Sequence, residues 1–83
     1  MKNGIVTSPI VGTFYRASEP TDSPFVEVGA HVKKGQVLCM IEAMTLKNFV
    51  ECDCDGEVVT IYVDNGQPVG WGDPLFAVKP LVG

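Results

Sequence analysis

The chain states one short pattern twice, and that repetition narrows its possible folds more than any other feature of its 83 residues. The stretch VTSPIVGTF (6–14) aligns with VECDCDGEV (50–58), placing Val6 on Val50 and Gly12 on Gly56. Further on, HVKKGQVL (31–38) aligns with PVGWGDPL (68–75), placing Val32 on Val69, Gly35 on Gly72 and Leu38 on Leu75. Each half reads as strand, turn, strand, Gly-rich bend, strand. Neither half can bury its own apolar face, so the two are expected to pack about a pseudo-twofold axis. The resulting fold class is all-β, a flattened barrel or sandwich of two small antiparallel sheets.

The residue choice within each half agrees. IVGTFY, QVLCMIEA, LKNFVE, EVVTIYV and PLFAV are rich in Val, Ile, Phe, Tyr and Thr, and no segment sustains a helical period. Turn signals fall between them at DCDG, DNGQP and GWGDP, with Gly66 able to take positive φ. In EVVTIYV the common parity of Val59, Ile61 and Val63 predicts an inward set, leaving Val58, Thr60 and Tyr62 outside. Trp71 is expected as a partly covered aromatic on its bend, and Cys39 as a small core residue. Residues 1–83 are read as one domain, near the lower size limit for a single unstapled core.

Charge and composition exclude several functions. The net charge is −4, and the basic residues Lys2, Arg16, Lys33, Lys34, Lys47 and Lys79 are scattered, so no stripe follows a phosphate backbone and no nucleic-acid partner is expected. No apolar run approaches the roughly 18 residues that cross a bilayer, so no membrane partner is expected either. The start MKNGIVTSP is too short and polar for a signal peptide. Three cysteines, an odd number, give no disulfide framework, and a reduced, cytoplasmic protein is the expectation. The start at Met1 fits a small protein or a domain of a longer subunit equally well.

Two constellations invite chemistry. The run CDCDG (52–56) offers Cys52 and Cys54, but Cys39 and His31 stand at unsuitable spacings for a zinc site. Its Asp53-x-Asp55-Gly56 lacks the later ligands and closing glutamate of a calcium loop, so a plain polar turn and no metal are expected. The run CMIEAMTLKNFV (39–50) reads as a β-hairpin turning at Ala43-Met44-Thr45-Leu46. Glu42 and Glu51 flank it as solvated positions that would help partner enzymes recognise the tip. Nothing assembles a catalytic site, so the chain is not expected to be an enzyme by itself. The segment RASEPTDSPF (16–25) has no counterpart in the second half and reads as a protruding loop.

Taken together, SPIVGTFYR (8–16), FVEVGAHVKKGQVLCMIEAM (25–44) and NGQPVGWGDPLF (65–76) resemble the biotinyl domain of the carrier subunit of bacterial-type acetyl-CoA carboxylase. The resemblance runs from about Ile5 to Val78 and implies the biotinyl/lipoyl-type fold. It also implies that Ala17, Ser18, Glu19, Pro20, Thr21, Asp22, Ser23 and Pro24 form that family's thumb, a loop that would contact the biotin ring. Its cofactor would be biotin, and its partners biotin carboxylase, carboxyltransferase and biotin-protein ligase. The implied function is to shuttle carboxybiotin from the first to the second, forming malonyl-CoA for fatty acid synthesis.

The resemblance breaks at the residue that matters most. The family's hairpin (42–48 here) reads Glu-Ala-Met-Lys-Met, with biotin joined to the lysine amine; this chain has Glu42, Ala43, Met44, Thr45 and Leu46. The biotin-attachment position is therefore Thr45. A ligase delivering biotinyl-adenylate needs an amine, whereas a β-branched hydroxyl with no adjacent base is short and weakly nucleophilic. Lys47 is the remaining alternative acceptor, but it lies on the returning strand, where it reads as an ordinary solvated lysine. This copy is expected to be unbiotinylated. Either a lysine was replaced in an ordinary carrier, or a relative kept the fold as a non-biotinylated interaction or assembly module. A turn requiring positive φ at Thr45 would cost on the order of 1 kcal/mol.

Overall fold

The computed structural model describes residues 4–81, and the regular structure there is entirely β. In chain order the strands are β1 (Ile5–Thr7), β2 (Gly12–Tyr15), β3 (His31–Val32), β4 (Val37–Ala43), β5 (Leu46–Glu51), β6 (Gly56–Ile61), β7 (Pro68–Val69) and β8 (Pro74–Pro80). They form two four-stranded antiparallel sheets, ordered β1-β8-β6-β3 and β5-β4-β2-β7. With extents of 40 × 27 × 19 Å the body is a flattened sandwich, as the repeat required.

Hydrogen bonds repeat along with the sequence. Gly12 pairs with Val69 and Gly56 with Val32, so each glycine opens a strand against the short strand of the other half. Ser8 N–H donates to Asp73 C=O at 2.9 Å, and Cys52 N–H donates to Gln36 C=O at 2.8 Å. The bends at Gly35 and Gly72, with φ of 88° and 84°, return their N–H groups to Cys52 and Ser8. Ser8 Oγ donates to Ile10 C=O at 2.7 Å, and Cys52 Sγ to Cys54 C=O at 3.1 Å. Cys52 is thus the buried counterpart of Ser8, whereas Asp53 and Asp55 of the same run face solvent. The expected polar turn is therefore half core. Burial of one of its two thiols comes from the repeat, which local composition does not report.

The core lies between the sheets. Phe14 from β2 and Phe76 from β8 meet across it, ring centroids 5.8 Å apart and tilted by 50°. Such a pair contributes about 0.5–1.5 kcal/mol beyond its burial. Around them Val32, Leu38, Ile41, Val58, Leu75 and Val78 are fully enclosed.

Bulges decide which residues reach this core. Leu38 is an extra residue between the Val37–Glu51 and Cys39–Val50 pairs, and Leu75 is its mate, opposed by nothing between Val6–Phe76 and Thr7–Pro74. The extra residue lets two consecutive side chains, Leu38-Cys39 and Leu75-Phe76, both point inward. A third bulge corrects the parity reading of EVVTIYV. Val58 faces Val78 and Thr60 faces Ala77, leaving Val59 unopposed. The alternation shifts by one there, so the inward set is Val58, Ile61 and Val63, and Val59 is exposed.

Trp71 also departs from expectation, being 78% exposed instead of partly covered. It sits at the apex of a turn closed by Gly70 N–H to Asp73 Oδ2 at 2.7 Å and Asp73 N–H to Gly70 C=O at 3.1 Å. That closure holds the indole away from the sheets.

Two glycines set how closely neighbouring strands approach within each half. A Cβ on Gly12 would lie 2.6 Å from Glu42 O and 2.7 Å from Ile41 Cγ2; one on Gly56 would lie 2.5 Å from Lys79 O and 2.7 Å from Val78 Cγ1. Gly12→Ala and Gly56→Ala should each lower the unfolding free energy by about 1–3 kcal/mol, and by similar amounts, in urea denaturation. Burial pushes the Cys39 thiol from its ordinary 9.0 up to about 12. Because the unfolded thiol ionises first, stability is intact below about pH 9 and falls as pH rises toward 12. A Cys39→Ser comparison of thermal midpoints across that window should show a smaller alkaline decline in the variant.

Candidate functional site

The β4–β5 hairpin leaves the sandwich with Glu42 opposite Lys47 and Ala43 opposite Leu46, so Met44 and Thr45 alone make the loop. The expected turn at 43–46 is where the structure has it. Met44 carries φ of 57°, the only positive value on a non-glycine among the described residues. Positive φ at the first central position and not at the second is the II′ pattern, whose twist matches that of the flanking strands. The strain considered for Thr45 therefore sits one residue earlier. Met44 is 98% exposed, and Thr45 is exposed beside it. A bare methionine at positive φ contributes nothing to the core.

The thumb segment 17–24 leaves β2 after Arg16 and returns at Phe25, where Phe25 N–H donates to Arg16 C=O at 2.7 Å. Arg16 anchors this neck. Its N–H donates to Asn65 Oδ1 at 2.8 Å and its Nη2 to Val26 C=O at 3.0 Å. Inside the loop, Asp22 N–H donates to Glu19 C=O at 3.0 Å and closes a turn. Phe25 meets Phe49 of β5 edge-on, centroids 6.2 Å apart at 87°. The loop thus leans over the outer face of β5, β4 and β2, and a cleft of about 450 Å³ lies between them. Tyr15, Met40, Glu42 and Lys47 are its sheet side, with Met40 buried there outside the main core.

Lys47 is exposed on β5 and, among the described residues, has one surface partner. Its Nζ stands 3.6 Å from Glu19 Oε1, half-exposed, and so ties hairpin to thumb. At that exposure the pair contributes roughly 0–1 kcal/mol. No local signal in the sequence announced this contact, because 28 residues separate the two partners. Glu42 is half-buried opposite Lys47, and Glu51 is exposed on β5.

The other sequence candidates lie apart. His31, on β3 of the opposite sheet, stands 3.9 Å from Glu57. Among the described residues no group of three or more His, Cys, Asp or Glu could hold a metal ion, and all three cysteines are free thiols. No described helix is long and apolar enough to cross a membrane.

The tip can be judged against covalent biotin directly. It offers a thioether and a hydroxyl, and the one amine of the hairpin, Lys47, stands on the returning strand near Glu19. These residues do not fit an amide-linked group at the tip. Met44→Asn, which tolerates positive φ, should stabilise the protein by about 0.5–1 kcal/mol in chemical denaturation. Thr45→Gly should destabilise it by a similar amount, since glycine there relieves no strain and gains only unfolded-state entropy.

Residues 5–78 match the biotin/lipoyl family, described as biotin-requiring enzyme. The biotin carboxyl carrier protein of acetyl-CoA carboxylase from Pseudomonas aeruginosa is 50% identical over 78 residues, covering 94% of this chain and 50% of that protein. The protein of the same name from Nostoc sp. is 52% identical over 75 residues, 90% of this chain and 41% of its own length. The chloroplastic carrier protein 1 from Arabidopsis thaliana is also 52% identical over 75 residues, 90% of this chain and 27% of its own. The chain therefore spans half or less of these relatives. A single-chain, multi-domain long-chain acyl-CoA carboxylase contains the same fold, with a TM-score of 0.79 and 24% identity over 98% of this chain and 8% of that one. With two repeated halves, a projecting hairpin and a family match across nearly all of the sandwich, the chain belongs to the biotin/lipoyl family of biotin-requiring enzymes.

Proposed function

We propose that this chain is a carrier domain of the acetyl-CoA carboxylase type, built to present hairpin 42–48 to partner enzymes and left without the acceptor amine. The observation that carries the reading is the exposure of Met44 and Thr45 on a two-residue turn in a chain half-identical to carboxyl carrier proteins. The domain covers 1–83 and works in the cytoplasm. It is a vehicle and not a catalyst.

Its partners are biotin carboxylase, carboxyltransferase and the biotin-protein ligase that would load it, and malonyl-CoA is the product of the assembly. Thr45 stands at the biotin-attachment position. Met44, Ala43, Leu46 and Glu42 form the surface that the ligase reads. Where biotin is attached, it supplies a ureido nitrogen that carries a carboxyl group. In this chain the hydroxyl of Thr45 lacks a neighbouring base, and the Lys47 amine stands on the returning strand and not at the tip. The domain is therefore silent in carboxyl transfer, while its docking surface is intact. Thumb residues 17–24 close over the cleft beside the tip.

Incubation of Thr45→Lys with biotin-protein ligase, biotin and ATP should give a biotin-sized mass increase at residue 45. The chain with Thr45 should show none. Failure of the folded Thr45→Lys variant to label would instead identify a diverged, non-biotinylated assembly module. A label on Lys47 of the unsubstituted chain would overturn the assignment of a silent site.

A further inference from the structure

Two of the three free thiols, Cys52 and Cys54, share the turn that follows β5, at the end of that strand away from the hairpin tip. The turn is held at both ends. Cys52 N–H donates to Gln36 C=O, and Cys52 C=O accepts from Gly35 N–H, each at 2.8 Å. Asp55 C=O accepts from Leu81 N–H at 3.1 Å, and Asp55 Oδ1 accepts from Lys34 N–H at 2.9 Å. Between these anchors the chain bends at residues 53–55, and Cys52 Sγ turns back onto Cys54 C=O at 3.1 Å. On a bent chain, Cα atoms two residues apart lie within the roughly 4.4–6.8 Å that a disulfide spans. Cys52 is buried, whereas Cys54 is half-buried and open to a small reagent. The third thiol, Cys39, is fully enclosed.

The first half of the repeat shows that this turn does not need sulfur. The alignment of Val6 with Val50 places Ser8 on Cys52 and Ile10 on Cys54. Ser8 Oγ donates to Ile10 C=O as Cys52 Sγ does to Cys54 C=O. Ile10 and Cys54 are both partly buried against the same core. A hydroxyl and an aliphatic chain therefore do the packing of the two thiols. They cannot do the chemistry of two thiols, which is to give up two electrons and join.

We infer that Cys52 and Cys54 form a redox-active pair, closed to an intramolecular disulfide by a small-molecule disulfide such as oxidised glutathione and reopened by a dithiol. Cys54 loses its proton, and its thiolate attacks one sulfur of the small disulfide and releases one small thiol. Cys52 loses its proton in turn, attacks the Cys54 sulfur of the mixed disulfide and expels the second small thiol. The chain gives up two hydrogens and two electrons, and the small disulfide is reduced to two thiols. In a reducing compartment such a bond is transient, the form that disulfides take in redox sensing. Burial first, then the neighbouring Cys52 thiol and the carboxylates of Asp53 and Asp55, push the Cys54 thiol above its ordinary 9.0. Exchange is therefore slow at neutral pH and quickens about tenfold per pH unit on the alkaline side.

The folded chain, incubated with oxidised glutathione at about pH 8 and about pH 9, quenched in acid and digested with trypsin, tests this. Cleavage after Lys47 and Lys79 isolates residues 48–79, which carry Cys52 and Cys54 but not Cys39. That peptide should become lighter by two hydrogens and resist alkylation, about tenfold faster at the higher pH. Dithiothreitol should restore both thiols, and Cys39 should stay alkylatable after denaturation throughout. Cys52→Ser should stop at a glutathione adduct on Cys54, and Cys54→Ile should not react in the same time. Both variants install side chains that the first half already accommodates, and circular dichroism checks that they fold. A peptide that keeps both thiols, a glutathione adduct that persists on the unsubstituted chain, a crosslink to Cys39 or between chains, or reaction of Cys54→Ile through Cys52 would each overturn the proposal.

Discussion

The structure depends on two places where backbone meets backbone with no room for a methyl group. At Gly12 the chain lies against the Glu42 carbonyl, and at Gly56 against the Lys79 carbonyl. Each glycine begins a strand that must pair on both sides, with a long strand of one half and a short strand of the other. A side chain at either point would push β2 from β4, or β6 from β8, and open the space that Phe14 and Phe76 fill. The same contact at Gly12 fixes the base of the hairpin. Glu42 is the residue it touches, and the turn begins two positions later. Close packing at the core and projection at the tip are thus consequences of one approach distance.

Much of this was legible in the sequence because repetition is a property of letters. Val6 with Val50, Gly12 with Gly56 and Leu38 with Leu75 are symmetry mates in space as they are in the alignment. The hairpin turn was equally readable, since two strand-like runs separated by so few residues leave the chain little choice. Bulges were not. Strict alternation assigned Val59 inward, and one unopposed residue reversed it. The parity of a strand is a local rule, whereas a bulge answers to the partner strand, which a single sequence does not display. The Lys47–Glu19 tie and the bare Trp71 were hidden for the same reason. One depends on a contact between distant segments, the other on a turn whose closure holds the ring outward.

Strain and stability are separated in this molecule. The buried side chains belong to the sheets and to the segments packed on them, Val26, Cys52 and Val63 among them, and among the described residues the one non-glycine at positive φ belongs to the tip. A methionine at positive φ and nearly full exposure weakens the fold slightly and buries nothing. Thr45, exposed one position later and at ordinary φ, touches neither term, so the scaffold is insensitive to which side chain stands there.

The twofold relation also explains why the two ends of the sandwich differ. The mate of the β4–β5 hairpin is the β8–β1 pair, which matches it through the bulge and joins no turn. There the paired strands come from opposite ends of the chain, and β1 stops after three residues. Two nearly equal halves therefore end differently. One presents a rigid loop with a long strand running back from it, and the other presents a short, closed edge. The symmetry makes the core, and its failure at β5 makes both the projecting tip and the open edge beside it. The thumb deepens that asymmetry, because its seven-residue excess over the second half falls on the same sheet as the hairpin (the repeat is offset by about 44 residues before it and about 37 after). The hairpin tip, the thumb and the cleft between them thus all lie on the side where the repeat is broken.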